Sequence, residues 1–360
     1  MNRDWLPIKT TPWTLGLILL ALLLLIQTTD LPQRLDFLLY DQAITSNPVN
    51  ASDEVVLVTI DELSLNRLGR WPWPRTLHAE LIAKLEQAGA KTIVFDILFA
   101  EPSPDDQQLA EQMRSHGNVI LPVYLSPPTS QYLLSEQLPV GQLASAAKGL
   151  GHAHVELDSD GVARGLYLFN GLGRQLWPSL ALAASGIGPQ NSGTEEALPY
   201  VNVRDQYRAI PLIGGAGSLQ SYSFAEVITQ PPAPERFRGK TVFVGATAAG
   251  FGDILPTPFS GLSRPMAGVE FHANVFSART QGLLIRPAPE WASALLSLTT
   301  ILILALALPP MRPARTLLAC AAALVGLVGL YLFMLLALKW WIPLANALLV
   351  PLLAFPVSSG

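Results

Sequence analysis

Acidic side chains follow three runs of apolar residues, at the points where those runs end. Asp61 closes EVVLVTIDE, Asp96 and Glu101 follow the run KTIVF, and the loop GATAAGFGD contains Thr247 and Asp253. Apolar runs of this kind are typical of strands buried on both faces of a parallel sheet. Ligands bind outside the carboxyl ends of such strands, so these five residues are candidates for a ligand site.

Two other interpretations of these acids stay open. Three carboxylates from separate strands could ligate a hard cation if they meet at one edge of the sheet. Alternatively, the carboxylates could cap helices or pair with nearby arginines, in which case they serve the fold and not a ligand.

Two tryptophans lie in a proline frame directly before a predicted helix, in the stretch LGRWPWPRTLHAEL. Trp71 and Trp73 each precede a proline, which disfavours the α region and makes both residues extended. Pro74 can then occupy the first turn of the helix, where its missing N–H costs nothing. Aromatic walls with a few polar groups typify small-molecule sites, so both tryptophans are candidate ligand-binding residues. The alternative is that the rings pack over the end of the sheet.

Familiar catalytic and metal-binding patterns are missing from the sequence. It contains neither HExxH nor GxSxG, and its five histidines are scattered. The GATAAGFGD loop lacks the lysine followed by serine or threonine that ends a phosphate loop. ELDSDG begins like a calcium loop, but the closing glutamate would fall at Tyr167, so a hairpin turn is the better interpretation. We therefore expect no catalytic residue, no metal ion and no cofactor, in a chain that is not an enzyme.

The elements that would position the candidate residues follow an α/β plan. Leu77, Leu81 and Leu85 share one helix face, which predicts a helix over residues 74–88 between the first two strands. SPDDQQLAEQMRSHG predicts a second helix with a cap at Ser103, and NVILPVY predicts a third strand. GHAHVELDSDGVARGLYLF has two alternating runs around a turn, which predicts a β-hairpin. The expected fold is α/β: a mainly parallel sheet flanked by helices, with a β-hairpin element.

Long stretches of the chain carry no charge. Half of the residues are apolar and only 14% are charged, against about 25% charged in an average soluble domain. Four charge-free intervals can each hold the roughly 20 apolar residues that cross a bilayer. They predict transmembrane helices at residues 13–29, 291–309, 316–338 and 341–357. The first could instead be a signal peptide, although IQTTDLPQ lacks a small-x-small cleavage site.

Basic residues indicate the orientation of these helices. Arg3 and Lys9 precede the first span, and Arg312 and Arg315 separate the second from the third, which favours the cytoplasmic side for both segments. The LKWW turn suits an aromatic belt at the outer interface. The expected organisation therefore has a cytoplasmic N-terminus at 1–12, an exported domain at 30–286 and a cytoplasmic stub at 358–360.

The exported domain would fold without disulfides, because the single cysteine, Cys320, lies in the third predicted span. The net charge of −4 and the absence of a Lys/Arg cluster argue against nucleic acid as a partner. The expected partners are the lipid bilayer and an unidentified ligand outside the membrane.

Four segments resemble one family, in the order in which that family has them. They lie within residues 35–284 and comprise the stretch from VVLVTIDE to EPSPDD, GHAHVELDSDGVARG, GKTVFVGATAAGFGD and PMAGVEFHANVFSA. These segments are similar to the cyclase/histidine-kinase-associated sensory extracellular domain of the second type, CHASE type two. The resemblance implies a sensory domain between one leading and three trailing membrane helices. It also implies a cytoplasmic effector, such as an adenylate cyclase, histidine kinase, Ser/Thr kinase or diguanylate cyclase.

We therefore expect a bacterial inner-membrane receptor, with both termini in the cytoplasm, that senses a small-molecule or envelope signal as a homodimer. No effector follows FPVSSG, so we expect either a truncated chain or the sensor and membrane part alone. Two other classes stay open, a membrane-anchored exported enzyme and a transporter subunit. A transporter would need polar groups within the spans, which are apolar apart from Asn346 and a few Ser and Thr.

Overall fold

A computed structural model describes residues 11–126, 134–193, 201–251, 254–261 and 264–359. The chain divides into two compact units. Residues Asn47–Leu284 form the first, which we call the α/β unit. The chain up to Ser46 and the chain from Ile285 together form the second, which we call the helical unit.

The helices in chain order are α1 (Pro12–Ile26), α2 (Leu31–Ser46), α3 (Glu62–Leu68), α4 (Arg75–Gln87), α5 (Asp106–His116), α6 (Gly141–Ala146), α7 (Leu180–Ala184), α8 (Phe224–Thr229), α9 (Pro234–Phe237), α10 (Gly268–Thr280), α11 (Glu290–Ala307), α12 (Pro313–Leu332), with a π-helical turn at Phe333–Ala337, and α13 (Ala345–Ser359). The strands are β1 (Val55–Ile60), β2 (Thr92–Phe95), β3 (Val119–Ser126), β4 (Ser135–Gln137), β5 (Gly149–His152), β6 (Gly165–Leu172), β7 (Gln175–Pro178), β8 (Gln190–Asn191), β9 (Asn202–Ala209), β10 (Ser221–Ser223), β11 (Thr241–Ala246), β12 (Ile254–Leu255), β13 (Met266–Ala267), β14 (Arg286–Pro287) and β15 (Trp340–Trp341).

The α/β unit is built on a mainly parallel sheet. Its strand order is β10-β1-β11-β2-β3, and β5 also pairs with β3 in parallel. The short β4 runs antiparallel to the end of β3. Within the sheet β11 lies between β1 and β2, so that Val58 pairs with Val244 and Val244 with Phe95. Every residue of β1 and β2 is buried, as their continuous apolar runs predicted, and the mainly parallel α/β fold is confirmed.

Helices cover both faces of this sheet. Val56 and Val58 of β1 belong to the same buried cluster as the apolar residues of α4 and α5. Alternate strand residues face the other way, where the ring of Phe243 lies 5.7 Å from that of Phe276 in α10. A Cβ atom at Gly245 would lie 2.6 Å from the Cβ of Val269, so only glycine lets α10 approach β11 this closely.

The two predicted helices of the first half are present, but one begins later than expected. The first was predicted over residues 74–88 and is observed as α4, Arg75–Gln87. The second was predicted with its cap at Ser103, whereas α5 begins at Asp106 with its cap at Asp105. The carboxylate of Asp106 accepts the backbone N–H of Ser103 at 2.8 Å and holds Arg75 at 3.2 Å. These bonds shape residues 103–105 as a turn and not as the first turn of the helix.

The hairpin predicted over residues 151–169 is wrong beyond its turn. β5 joins the parallel sheet, while β6 joins a separate antiparallel sheet of order β8-β7-β6-β9. Between them Arg164 is 1% exposed and binds Asp158 at 2.9 Å and Asp160 at 2.8 Å. The buried arginine and its two acids occupy the place where the hydrogen-bond ladder of a hairpin would lie. One bridge of such a ladder is present, between Glu156 and Gly165. The antiparallel hairpin lies one strand further along, between β6 and β7.

The helical unit contains fewer long apolar helices than the four predicted. Among the described residues two are long and apolar enough to cross a membrane, namely α11 and the continuous helix Pro313–Ala337. α1 and α2 meet that test only as a pair, bent by 83°. α1 and α13 have 15 residues each, which is about 22 Å of helix against a hydrocarbon core of about 30 Å. The predicted spans at 13–29 and 341–357 therefore lie on helices shorter than a bilayer crossing.

Asp36 of α2 binds the start of α13 within the helical unit. Its Oδ1 accepts the backbone N–H groups of Leu344 at 2.6 Å and Ala345 at 2.8 Å, and so caps that helix. Trp341 lies beside this cap with its ring 4.6 Å from that of Tyr40. Trp341 is buried and packs inside the unit, whereas Trp340 is exposed. Of the two tryptophans in the LKWW turn, only Trp340 is therefore placed as the predicted aromatic belt requires.

Asp36→Ala should destabilise the helical unit by about 2 kcal/mol, because two buried N–H groups lose a charged acceptor. Asp36→Asn keeps an acceptor oxygen and should lose less. Denaturant unfolding of the full chain in detergent measures both. Gln33→Ala is the matched control, since Gln33 is exposed on the same helix and should change stability little. An Asp36→Ala protein as stable as this control would show that the cap contributes nothing.

Candidate functional site

An open cleft of about 460 Å³ lies at the carboxyl edge of the parallel sheet. Ile60 and Ala246 end β1 and β11, Asp96 directly follows β2, and Tyr124 lies near the end of β3. Parallel strands end at a common edge, so the pairing of four strands brings these residues together. The cleft is lined by Ile60, Trp71, Asp96, Ile97, Leu98, Tyr124, Ala246 and Phe251.

Asp96 is the acidic residue of the cleft. Its side chain is 8% exposed, and its Oδ1 accepts the hydroxyl of Tyr124 at 2.8 Å. Its backbone N–H donates to the carbonyl of Val244 at 2.8 Å, which fixes its position beside β11. Within the described ranges no lysine, arginine or histidine forms an ion pair with this carboxylate. Burial raises the pKa of Asp96 to about 6, and the Tyr124 hydrogen bond offsets only part of that rise.

The two tryptophans of the proline frame have different positions. Trp71 is half-buried and lines the cleft, with its ring edge-to-face against Phe251 at 5.9 Å and against Trp73 at 5.3 Å. Trp73 is 4% exposed, donates its Nε1–H to the carbonyl of Gly69 at 2.9 Å and packs on Phe224. The core-packing alternative therefore describes Trp73, while Trp71 is placed where a ligand could reach it.

Asp61, also predicted for the site, is engaged by the fold. Its carboxylate accepts the N–H of Ser64 at 2.8 Å and so caps α3. The same oxygen accepts the hydroxyls of Ser64 at 2.6 Å and Ser223 at 2.8 Å. Asp61 does not line the cleft, and the helix-capping alternative describes its contacts.

The remaining predicted residues do not join Asp96 either. Glu101 is exposed. Its backbone carbonyl, and not its carboxylate, accepts a hydrogen bond from the Arg75 guanidinium at 3.0 Å. Thr247 donates its backbone N–H to Ile60 at 3.0 Å but does not line the cleft, and Asp253 lies outside the described residues. Across the described part of the chain no three His, Cys, Asp or Glu residues are grouped to hold a metal ion. The shared cation site considered from the sequence is therefore not assembled there.

Sequence reasoning missed three residues of this region. Tyr124 ends an apolar run, so the rule that selected Asp96 would have selected it too. Phe251 follows GATAAG, and no sequence pattern selects it, because its place in the cleft depends on its contact with Trp71. His78 is fully buried 5.7 Å behind the Trp71 ring, and neither of its ring nitrogens has a hydrogen-bond partner in the described structure. Burial lowers the pKa of His78 to about 3, with a smaller contribution from Arg75.

The sequence profile of the CHASE2 domain matches residues 17–308. This chain belongs to the CHASE2 domain family. The match includes the whole α/β unit, most of α1 and all of α11. CHASE2 is a family of sensory extracellular domains and is not catalytic. No curated protein matched the chain, and no solved structure did.

Asp96→Asn should stabilise the CHASE2 α/β unit at about pH 7.5. Because the folded pKa is raised, the folded state binds this proton more tightly than the unfolded chain. Stability is therefore lost as the pH rises from 3.8, the ordinary pKa, to about 6, and the full loss remains at higher pH. Asparagine keeps an oxygen for Tyr124 and carries no charge. The gain should be roughly 2 kcal/mol at about pH 7.5 and less than half of that at about pH 4.5.

Denaturant unfolding of the full chain in detergent, followed by tryptophan fluorescence, measures this difference. Glu111→Gln removes an exposed carboxylate on α5 and should show neither the gain nor its pH dependence. Equal stability of wild type and Asp96→Asn at both pH values would contradict a raised pKa at Asp96.

Proposed function

We propose that this chain is the sensory and membrane part of a bacterial inner-membrane receptor whose ligand binds in the cleft beside Trp71 and Asp96. One observation carries the proposal: a buried carboxylate without a cationic partner in the described structure lies against an aromatic wall. Buried ionisable groups with shifted pKa values cluster at functional sites. The cleft also has the size and the mixed apolar and polar lining of small-molecule sites.

Transmission would begin at the strands that end in the cleft. α10 contacts β1 and β11, which end at the cleft residues Ile60 and Ala246. The chain then continues from Thr280 through residues 281–289 into α11. A ligand shifts the output only through different affinities for two arrangements of the protein. We propose that it does so by changing the strand ends on which α10 packs.

The membrane arrangement belongs to the same proposal. α11 and the helix Pro313–Ala337, within the segments at 291–309 and 316–338, would span the inner membrane. We propose that the segments at 13–29 and 341–357 complete four crossings although α1 and α13 are shorter than the hydrocarbon core, with residues 30–286 outside and both termini in the cytoplasm. Arg312, which precedes α12, and Arg315 in its first turn support this orientation. In this arrangement a homodimer passes the signal to a cytoplasmic effector, such as a cyclase or a kinase.

Fusions of alkaline phosphatase test the orientation, because that enzyme matures only outside the cytoplasm. A fusion after Gly161 should be active and one after Met311 inactive. Fluorescent-protein fusions at the same two positions are the control and should give the opposite pattern. Phosphatase activity at Met311 without activity at Gly161 would place the α/β unit in the cytoplasm and exclude an extracytoplasmic receptor.

Ligand-dependent thermal unfolding of the full chain in nanodiscs tests the sensor proposal. Among small-molecule fractions of bacterial extracts, at least one should raise the unfolding temperature. Trp71→Ala should reduce the affinity for that ligand at least about tenfold, since it removes one wall of the cleft. Trp291→Ala, which removes an exposed tryptophan of α11, is the matched control and should leave the shift unchanged. An undiminished shift in Trp71→Ala would place the ligand elsewhere.

A further inference from the structure

We infer that the ligand of the cleft is a small organic cation, a protonated amine that donates to Asp96 while its carbon skeleton lies against Trp71 and Phe251. This inference rests on the proposed function, because it names the chemical class of ligand for the same cleft. It follows from the charge, the hydrogen bonds and the ring arrangement of the lining residues.

The cleft presents one negative charge and an unused acceptor. Among the described residues that line the cleft, Asp96 alone is charged at neutral pH, and the others are apolar apart from Tyr124. The Tyr124 hydroxyl donates to Oδ1, and no other side-chain hydrogen bond to Asp96 is present in the described structure. The second carboxylate oxygen is thus left for a donor. A buried carboxylate is stabilised most by a donor that also carries positive charge.

Among the described residues, no lysine, arginine or histidine supplies that positive charge to Asp96. Arg75 follows the tryptophans in sequence, but it binds Asp106 at 3.2 Å and lies 4.5 Å over the ring of Phe99. His78, directly behind Trp71, is uncharged at neutral pH because burial lowers its pKa to about 3. No described residue therefore compensates the charge of Asp96 when the cleft is empty.

The aromatic wall suits the rest of such a ligand. Trp71 is held edge-to-face by Phe251 on one side and by Trp73 and His78 on others. The ring is therefore fixed before a ligand arrives, which reduces the entropy lost on binding. Aromatic faces attract cations as well as apolar groups, so Trp71 can bind either the ammonium group or the carbon skeleton next to it.

Other ligand classes fit these features less well. An anion would meet the like charge of Asp96 in a site with little solvent screening. A neutral ligand would leave the carboxylate without a counter-charge. A divalent cation needs several oxygen ligands, whereas neither Asp61 nor Glu101 lines the cleft.

Four ring compounds of similar shape but different charge provide the test: benzylamine, benzyltrimethylammonium, benzyl alcohol and benzoate. Their binding to the full chain in nanodiscs can be measured by ligand-observed NMR and by tryptophan fluorescence. Benzylamine should bind at least about tenfold more tightly than benzyl alcohol, and benzoate should bind more weakly than either. Benzyltrimethylammonium has no N–H, so binding weaker than that of benzylamine assigns the preference to the hydrogen bond as well as the charge. Benzoate or benzyl alcohol binding as tightly as benzylamine would overturn the inference.

Asp96→Asn should reduce the affinity for benzylamine at least about tenfold and leave that for benzyl alcohol nearly unchanged. Glu111→Gln removes an equal charge from the exposed face of α5 and should alter neither. Circular dichroism confirms that each variant is folded. Benzylamine binding Asp96→Asn as tightly as wild type would exclude the carboxylate as its partner.

The pH profile of wild type gives a second readout that does not depend on a variant. A cation binds only the ionised carboxylate, so benzylamine affinity should fall about tenfold per pH unit below pH about 6. Of the described residues, Tyr124 is the one other ionisable group that lines the cleft, and His78 behind Trp71 stays neutral through this range. A flat profile, or no binding of benzylamine, would overturn the inference. The sensor proposal would still be judged separately, by the Trp71-dependent shift with extract fractions, which assumes nothing about ligand charge.

Discussion

The position of β11 between β1 and β2 is the constraint on which the cleft depends. β11 comes about 150 residues after β2 in the chain, yet it pairs residue for residue with both neighbours. This pairing sets Ile60, Asp96 and Ala246 at one edge and fixes Asp96 through its bond to Val244. Gly245 adds a second requirement, because a side chain there would collide with Val269 and separate α10 from the sheet.

Much of this architecture could be predicted from local pattern. Continuous apolar runs identified the buried strands, and the spacing of three leucines identified α4 within one residue at each end. These predictions succeeded because burial on both faces and a single helical stripe are properties of neighbouring residues. The place of β11 in the strand order depends on residues that are far apart in the sequence, so no short sequence pattern predicts it.

The difference between local and long-range contacts also explains which candidate site residues could be predicted. Asp61 and Asp96 occupy equivalent positions after their strands, but one carboxylate oxygen of Asp61 accepts from Ser64, nearby in sequence, and from Ser223, far away in sequence. The first contact was visible as an N-cap pattern, while the second was not. Trp71 and Trp73 likewise share one proline frame, and only the packing of Phe224 and Phe251 separates a core ring from a cleft ring. Hydropathy did not predict the lengths of the apolar helices, because a charge-free stretch of sequence does not show where a helix begins and ends.

His78 carries a consequence for the behaviour of the α/β unit in acid. Its imidazole is enclosed by aromatic rings, with neither nitrogen hydrogen-bonded in the described structure, so it stays unprotonated down to a pH of about 3. The unfolded chain takes up that proton near pH 6.5 and gains an advantage of about 1.4 kcal/mol for each further unit of acidification. Acidification should therefore lower the free energy of unfolding of the α/β unit. The acid limit of this unit is therefore set in part by a residue of its core.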